Sequence, residues 1–336
     1  MHSGSSNSVF ASDDTPPPTW DWMHENVIWY DFTDATTIFQ DKAASSVVTA
    51  DGQNVQRVNN KSVHSRKISN HVEAIYSSNE PVYKTGGTQN LNYIEFDGDR
   101  LSAGRTQFGQ SYSNPVGLID GDLFGSDTIL GTQSLTTFMV FKPDTSWDGS
   151  DYLFQISGDY ESDEDDMLHI SYSIRESVSG NNDHPRIRLQ FQWPTYPSAM
   201  GGEYDDDQEI IANQIHMITH RMGHTGASGE HFAYPPGTLS VMWLDGYDAS
   251  RDIVPLTANN NAYGMASMTG DKNVTFSPNS WPSIISIGAR SNSSSDGSAL
   301  DNLKGEFYEI IMFDYTLTME QNNTVETYLK NKYNIS

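Results

Sequence analysis

Residues 186–193 read RIRLQFQW. Ile187, Leu189, Phe191 and Trp193 fall on one parity, and Arg186, Arg188, Gln190 and Gln192 on the other. Successive side chains of an extended chain point to opposite faces, so this stretch is a strand with one apolar and one polar face; a helix would spread both sets around its circumference. Residues 169–178 repeat the device, with Ile170, Tyr172 and Ile174 alternating with His169, Ser171, Ser173 and Arg175. Each of these strands is expected to have one wet face.

Outward from this pair, the same period recurs in shorter runs at 93–96, 136–141, 152–156, 215–219, 238–244, 284–287 and 306–313. Turn formers separate them, among them Asp97-Gly98-Asp99, Asp245-Gly246 and the cluster at 292–297. Many short strands with no helical period between them specify a sandwich rather than βαβ units. One segment differs. Thr318 and Gln321 have capping-box spacing, and Val325, Tyr328, Leu329 and Tyr333 follow along one helical stripe. The expected architecture is all-β, two antiparallel sheets with one short C-terminal helix packed on them.

A core of this size is affordable: 36% of the 336 residues are hydrophobic and 11% aromatic, and sandwiches of this length occur as one unit. The formal charge of −25, from 44 acidic against 19 basic residues, repels phosphate and makes nucleic acid and anionic membranes unsuitable partners. With no cysteine, disulfides, thiolate metal sites and thiol nucleophiles are excluded. The N-terminus has neither the basic nor the apolar region of a secretion signal, and no stretch approaches a membrane span, so the expectation is synthesis in a host cytoplasm without export. Residues 1–19 are Ser-, Asn-, Asp- and Pro-rich and end in Pro16-Pro17-Pro18, which favours extended polyproline II over packed structure. Residues 1–26 therefore read as an arm ahead of a domain at 27–336. Trp20 and Trp22 are costly to leave in water. They are candidate assembly contacts, docking on the domain itself or on a neighbouring chain.

The order of short motifs resembles that of laminin G-like, concanavalin A-like jelly-roll domains of bacteriophage structural and bacterial surface proteins, over most of 27–336. The opening Ile28-Trp29-Tyr30-Asp31 with 34–38 is similar to the family's Trp-x-Asp and Asp-x-x-Thr-Ile start. Glu80-Pro81-Val82-Tyr83 and Ile94-Glu95-Phe96-Asp97-Gly98 resemble its next two motifs, with Glu80 where the family has Arg. Residues 137–143, Trp243-Leu244-Asp245-Gly246, Ile287-Gly288-Ala289-Arg290, 305–311, Leu317-Thr318 and 328–333 resemble the rest in sequence. The resemblance implies a lectin-type jelly roll, a fold that hosts many functions.

Related glucanases place paired acids on a Glu-x-Asp-x-Glu strand. The nearest match, Glu161, Asp163 and Asp165, lacks alternating apolar partners and reads better as a solvated acidic loop, so no catalytic residue is expected and glycoside hydrolysis ranks last. No cofactor is expected either; calcium is the alternative, suited by the oxygen-rich runs at 120–127, 159–166 and 203–207. His216, His220 and His224 would share a metal on a helix, but strand spacing parts the first two by about 13 Å. The segment 193–207 mixes Trp193, Tyr196 and Tyr204 with Asp205, a composition suited to stacking on sugar rings and accepting their hydroxyls. These four are the candidate glycan site, and the alternative is that the aromatics pin the loop. A lectin-type fold, no secretion signal and a polar arm together point to a non-enzymatic virion surface protein, a capsid decoration or fibre component of a phage, oligomeric and bound to capsid or other virion proteins. A carbohydrate-binding lectin or adhesin is the alternative.

Deleting residues 1–19 is expected to leave thermal unfolding nearly unchanged, because so polar a segment adds little to a core, while abolishing attachment to the particle in a reconstitution assay. A truncated protein that still fills its sites would refute the arm's role.

Overall fold

The computed structural model describes Trp20 and residues 27–62, 71–74, 80–103, 135–144, 150–157, 169–176, 185–192, 200–203, 210–222, 240–246, 284–289, 303–313 and 317–336. Two antiparallel sheets and one helix account for them. With strands numbered along the chain, the first sheet runs β15 (Ser240–Leu244), β14 (His216–Met222), β9 (Leu135–Pro143), β17 (Lys304–Phe313), β7 (Tyr93–Asp97), β6 (Val82–Lys84), β3 (Gln53–Asn54), and β1 (Val27–Asp31) also pairs with β17. The second runs β13 (Met200–Glu203), β12 (Pro185–Gln192), β11 (His169–Glu176), β10 (Ser150–Ser157), β16 (Ile284–Ile287), β8 (Leu101–Ala103), β5 (His71–Ala74), β4 (Arg57–Asn59), β2 (Ile38–Phe39). The long alternating runs became strands as expected. Most strands that periodicity did not mark, such as β2 to β6, are two to four residues long, too short to display a period.

Alternation sorts the apolar residues into two cores. Ile28, Tyr30, Met139, Phe141 and Ile310 of the first sheet meet Phe154, Tyr172, Ile174, Ile285 and Ile287 of the second between the layers. The intervening residues Val27, Trp29, Phe138, Val140 and Ile311 face the other way and are covered by α1 (Met319–Tyr333) through Val325, Leu329 and Tyr333. The helix begins as the sequence indicates: the Thr318 hydroxyl accepts from the Gln321 amide at 3.2 Å, and the Gln321 side chain accepts from the Thr318 amide at 2.9 Å.

A β-bulge fixes how α1 attaches. Phe307 pairs with Phe141 and Glu309 with Val140, leaving Tyr308 as an extra residue. Phe307 faces the inter-sheet core, whereas Tyr308 joins the helix-covered core and Glu309 bonds to helix residues. Register sets Glu309 directly opposite Asp31, both almost fully buried. Like charges in that position repel. Lys332 of α1 relieves the conflict by donating to Asp31 Oδ2 at 3.0 Å and to Glu309 Oε2 at 2.8 Å. Lys61 adds a 2.8 Å bond to Asp31, while the Trp29 indole and the Tyr333 hydroxyl each donate to Glu309 at 2.6 Å. Burial works to raise the Asp31 pKa, but the Lys332 and Lys61 ammoniums beside it carry it down to about 2. The stability this lends is complete above the unfolded carboxyl range and is lost as pH falls towards 2.

The free edge of β1 is closed by the Asn60 side chain and the Lys61 backbone rather than by a strand. Asn60 accepts from the Trp29 amide and donates to the Val27 carbonyl, and the Lys61 amide donates to the Trp29 carbonyl; this denies the edge to other chains. At the end of β15, Asp245 and Gly246 both have positive φ, 57° and 106°. A Cβ on Gly246 would push aside only the end of the Lys330 side chain, so it is the backbone conformation that favours glycine there.

Lys332→Met is expected to cost about 3–5 kcal/mol, the penalty for leaving buried charge without its partner. Urea unfolding would show it; a loss below about 1 kcal/mol would mean that Asp31 and Glu309 reorganise at little cost.

Candidate functional site

The outer face of the second sheet is polar, and it is built by the alternation seen in the sequence. Where Leu101, Ile285, Phe154 and Tyr172 turn inward, their neighbours Ser102, Ser286, Gln155 and Ser171 turn outward. Register aligns these into one row. Glu73 pairs with Ser102, Ser102 with Ser286, Ser286 with Gln155, and Gln155 with Ser171. Backbone register carries the row on to Gln190 and Gly201, and at its other end to Arg57. The five central positions span about 19 Å at the usual strand spacing.

This row is recessed rather than wet. Ser102, Ser286, Gln155, Ser171 and, one pair along, Ser173 are 0–3% exposed, which corrects the expectation that this face of β11 is solvated. Ser286 donates to the Ala289 carbonyl at 2.8 Å, but the hydroxyls of Ser102 and Ser171 are buried with no hydrogen-bond partner. A buried unsatisfied hydroxyl costs about 1–3 kcal/mol. Beside them, Tyr152 lies opposite Ser173 and is 7% exposed. A bulge at Leu153 sends both Leu153 and Phe154 into the core.

The row's Glu73 end is held by charge. His71 Nε2 lies 3.0 Å and Lys42 Nζ 4.0 Å from the Glu73 carboxylate, and the Arg57 guanidinium donates to Asn59 and to the Lys42 carbonyl. Among the described residues the other acid at a register position of this face is Glu203, opposite Arg188. Six strand spacings, about 29 Å, part it from Glu73, whereas glycosidase carboxyl pairs lie about 5–9.5 Å apart.

Trp193, Tyr196, Tyr204 and Asp205 lie outside the described residues, as do Trp22, His224 and Glu161, Asp163 and Asp165. The strands leading into the glycan candidates, β12 and β13, form one edge of the polar sheet. Trp20 is described, and it docks on the domain itself: its indole stacks on Trp29 at 5.8 Å with planes 7° apart and meets the Tyr328 ring edge-on at 5.9 Å. Ser102 and Ser286 were not singled out by sequence reasoning. The apolar–Ser–apolar triplet Ile285-Ser286-Ile287 was the available signal, but which strands adjoin it is not a local property.

His216 and His220 share β14 yet have separate partners. His216 Nδ1 lies 2.9 Å from Asp245 Oδ2, while the His220 ring nitrogen lies 2.7 Å from the Tyr172 hydroxyl between the sheets. Burial pushes the His220 imidazole down to about 3. No group of three or more His, Asp and Glu among the described residues is arranged to hold a metal.

No protein-family model matches the chain, and no curated protein matches it significantly. Solved structures align with the chain at low identity and low TM-score. A heptameric SAP-like pentraxin from Limulus polyphemus is 14% identical, with 59% of this chain and 73% of that one covered and a TM-score of 0.33. Domain 4 of AbnA, a GH43 extracellular arabinanase from Geobacillus stearothermophilus, in complex with arabinotriose, is 10% identical, with coverages of 89% and 97% and a TM-score of 0.35. Tailspike protein 2 of Escherichia coli O157:H7 bacteriophage CAB120 is 14% identical at a TM-score of 0.36, with 79% of this chain covered and only 27% of the tailspike. Likeness this distant transfers no ligand or partner to this chain.

The folded protein is expected to keep His220 neutral until the pH approaches about 3. Stability is then full above the free imidazole range and falls as the pH drops below it, since only the unfolded chain takes up the proton. Ring nitrogen shifts of His220 in an NMR titration should stay flat between about pH 7 and pH 4; a midpoint near 6 would mean that the ring is accessible.

Proposed function

We propose that this chain is a non-enzymatic carbohydrate-binding sandwich of the laminin G-like kind, displayed on a virus particle as a decoration or fibre component. The observation that carries the binding role is the pair of buried, unpartnered hydroxyls of Ser102 and Ser171 on either side of Ser286 and Gln155. A polyhydroxylated ligand that reaches the row on local opening of this face supplies partners to Ser102 and Ser171 and recovers the desolvation cost already incurred. The wide separation of Glu73 and Glu203 supports binding without hydrolysis.

The virion setting rests on the sequence: a polar, proline-rich stretch ahead of the first strand and the resemblance to phage structural proteins. The Trp20 stack on Trp29 supports an arm anchored to the domain at that residue. Oligomerisation belongs to the same reading.

The test is a glycan panel against the full chain, with reducing-end release measured in parallel. The expected result is binding without release, weakened at least about tenfold in a Ser102→Val, Ser171→Val double variant whose melting is unchanged or raised, because two unsatisfied hydroxyls are gone. Retained affinity in that variant would move the site elsewhere, and released reducing ends would overturn the non-enzymatic reading.

A further inference from the structure

We propose that Trp20 is a releasable strap on the C-terminal helix. Seated, it completes an aromatic layer that shields the Lys332, Glu309 and Asp31 cluster from water; lifted, it loosens the hold of α1 on β1 and β17. A partner that draws Trp20 away is thereby felt at the far end of the chain. The strap stands apart from the carbohydrate reading, since Trp20 and α1 pack on the outer face of the first sheet and the serine row belongs to the second.

Ring geometry sets the layers. Innermost are the charges: Lys332 Nζ is 2.8 Å from Glu309 Oε2 and 3.0 Å from Asp31 Oδ2, and the Glu309 and Asp31 side chains are 0% and 2% exposed. Two rings lie against them. The Trp29 indole donates to Glu309 at 2.6 Å, and the Tyr328 ring centre is 5.7 Å from Lys332 Nζ. These rings meet edge to face at 6.1 Å. Trp20 touches both, parallel to Trp29 at 5.8 Å and edge-on to Tyr328 at 5.9 Å, so the three rings close into one triangle. Spacings of this kind are those of attractive aromatic pairs.

Water exclusion gives the strap its leverage. Opposite charges attract in inverse proportion to the local dielectric constant, so an ammonium shared by two carboxylates holds hardest when dry. The same holds for the buried bond from Trp29 to Glu309. Of the three rings, Trp20 is the one that can leave. It is half-buried where Trp29 is 2% exposed, and it belongs to neither sheet, so its departure breaks none of the described strand pairs. Val325, Leu329 and Tyr333 keep their places in the covered core, so α1 loosens without being lost. Coupling of this kind is reciprocal: whatever loosens α1 weakens the seating of Trp20 by the same factor.

The experiment follows hydrogen exchange by NMR in the full chain at the Trp29 indole N–H, at the α1 amides of residues 325–333 and, for reference, at the β11 amides of residues 170–174. In Trp20→Ala the first two sets are expected to exchange at least about tenfold faster while the β11 amides stay within about twofold, the pattern of a local rather than a global opening. Trp20→Phe, which keeps a ring in the seat, is expected to stay within about threefold of the parent at every site. Equal acceleration in β11, or a Trp20→Ala chain that fails to fold, overturns the proposal, because Trp20 is then part of the global fold and cannot be released. Unchanged exchange in α1 overturns it as well, because the seat is then uncoupled from the helix. Acceleration as large in Trp20→Phe as in Trp20→Ala does the same, since the ring contacts are then not what holds the layer.

Discussion

The Lys332 ammonium, shared between Asp31 and Glu309, is the contact on which the covered side of this sandwich depends. The first and last strands are paired so that two buried carboxylates oppose each other, an arrangement that repels in isolation. One cation from the C-terminal helix resolves it, and the helix is thereby located against the junction of β1 and β17. The carboxylates also accept from Lys61, Trp29, Tyr333 and Thr33, so few lone pairs are left unmet. Apolar burial of Val325 and Leu329 supplies adhesion; the ionic cluster supplies position.

A single inserted residue makes this geometry. Without the bulge at Tyr308, strict alternation would place Glu309 in the inter-sheet core, and the partners that now satisfy it would be out of reach. The insertion turns Tyr308 and Glu309 to the same side, and Trp29 bonds to Glu309 while offering its other surface to Trp20. Trp20, the last strand and the terminal helix are thus joined through one aromatic and ionic cluster. Another buried carboxylate, Glu326, accepts from Thr219 and from the Trp243 indole, fixing the same helix over β14 and β15.

The two sheets use their outer faces in opposite ways. The outer face of the first is apolar and covered by α1, with Asp31 and Glu309 paired inside the ionic cluster. The outer face of the second carries a row of serines and a glutamine, two of whose hydroxyls have no partner. Polar groups buried without partners are expensive, and a face that retains them is suited to a ligand that supplies what the protein does not.

Local pattern alone determined the sandwich, the long strands and the capped helix. The alternation in 186–193 and 169–178, the Asp245-Gly246 turn and the Thr318 and Gln321 pair are each decided within a few residues, by steric alternation, positive φ or a neighbouring orphan amide. Short strands such as β2 and β3 escaped notice because two residues have no period. Sequence also divided Ser171 and Ser173 from Tyr172 and Ile174, but read their side as wet; that they are buried depends on strands from five distant segments lying side by side. The row of Glu73, Ser102, Ser286, Gln155 and Ser171 and the opposition of Asp31 to Glu309 are facts of register. Register is set by bulges, turns and the burial of both cores at once, and so only the tertiary structure decided them.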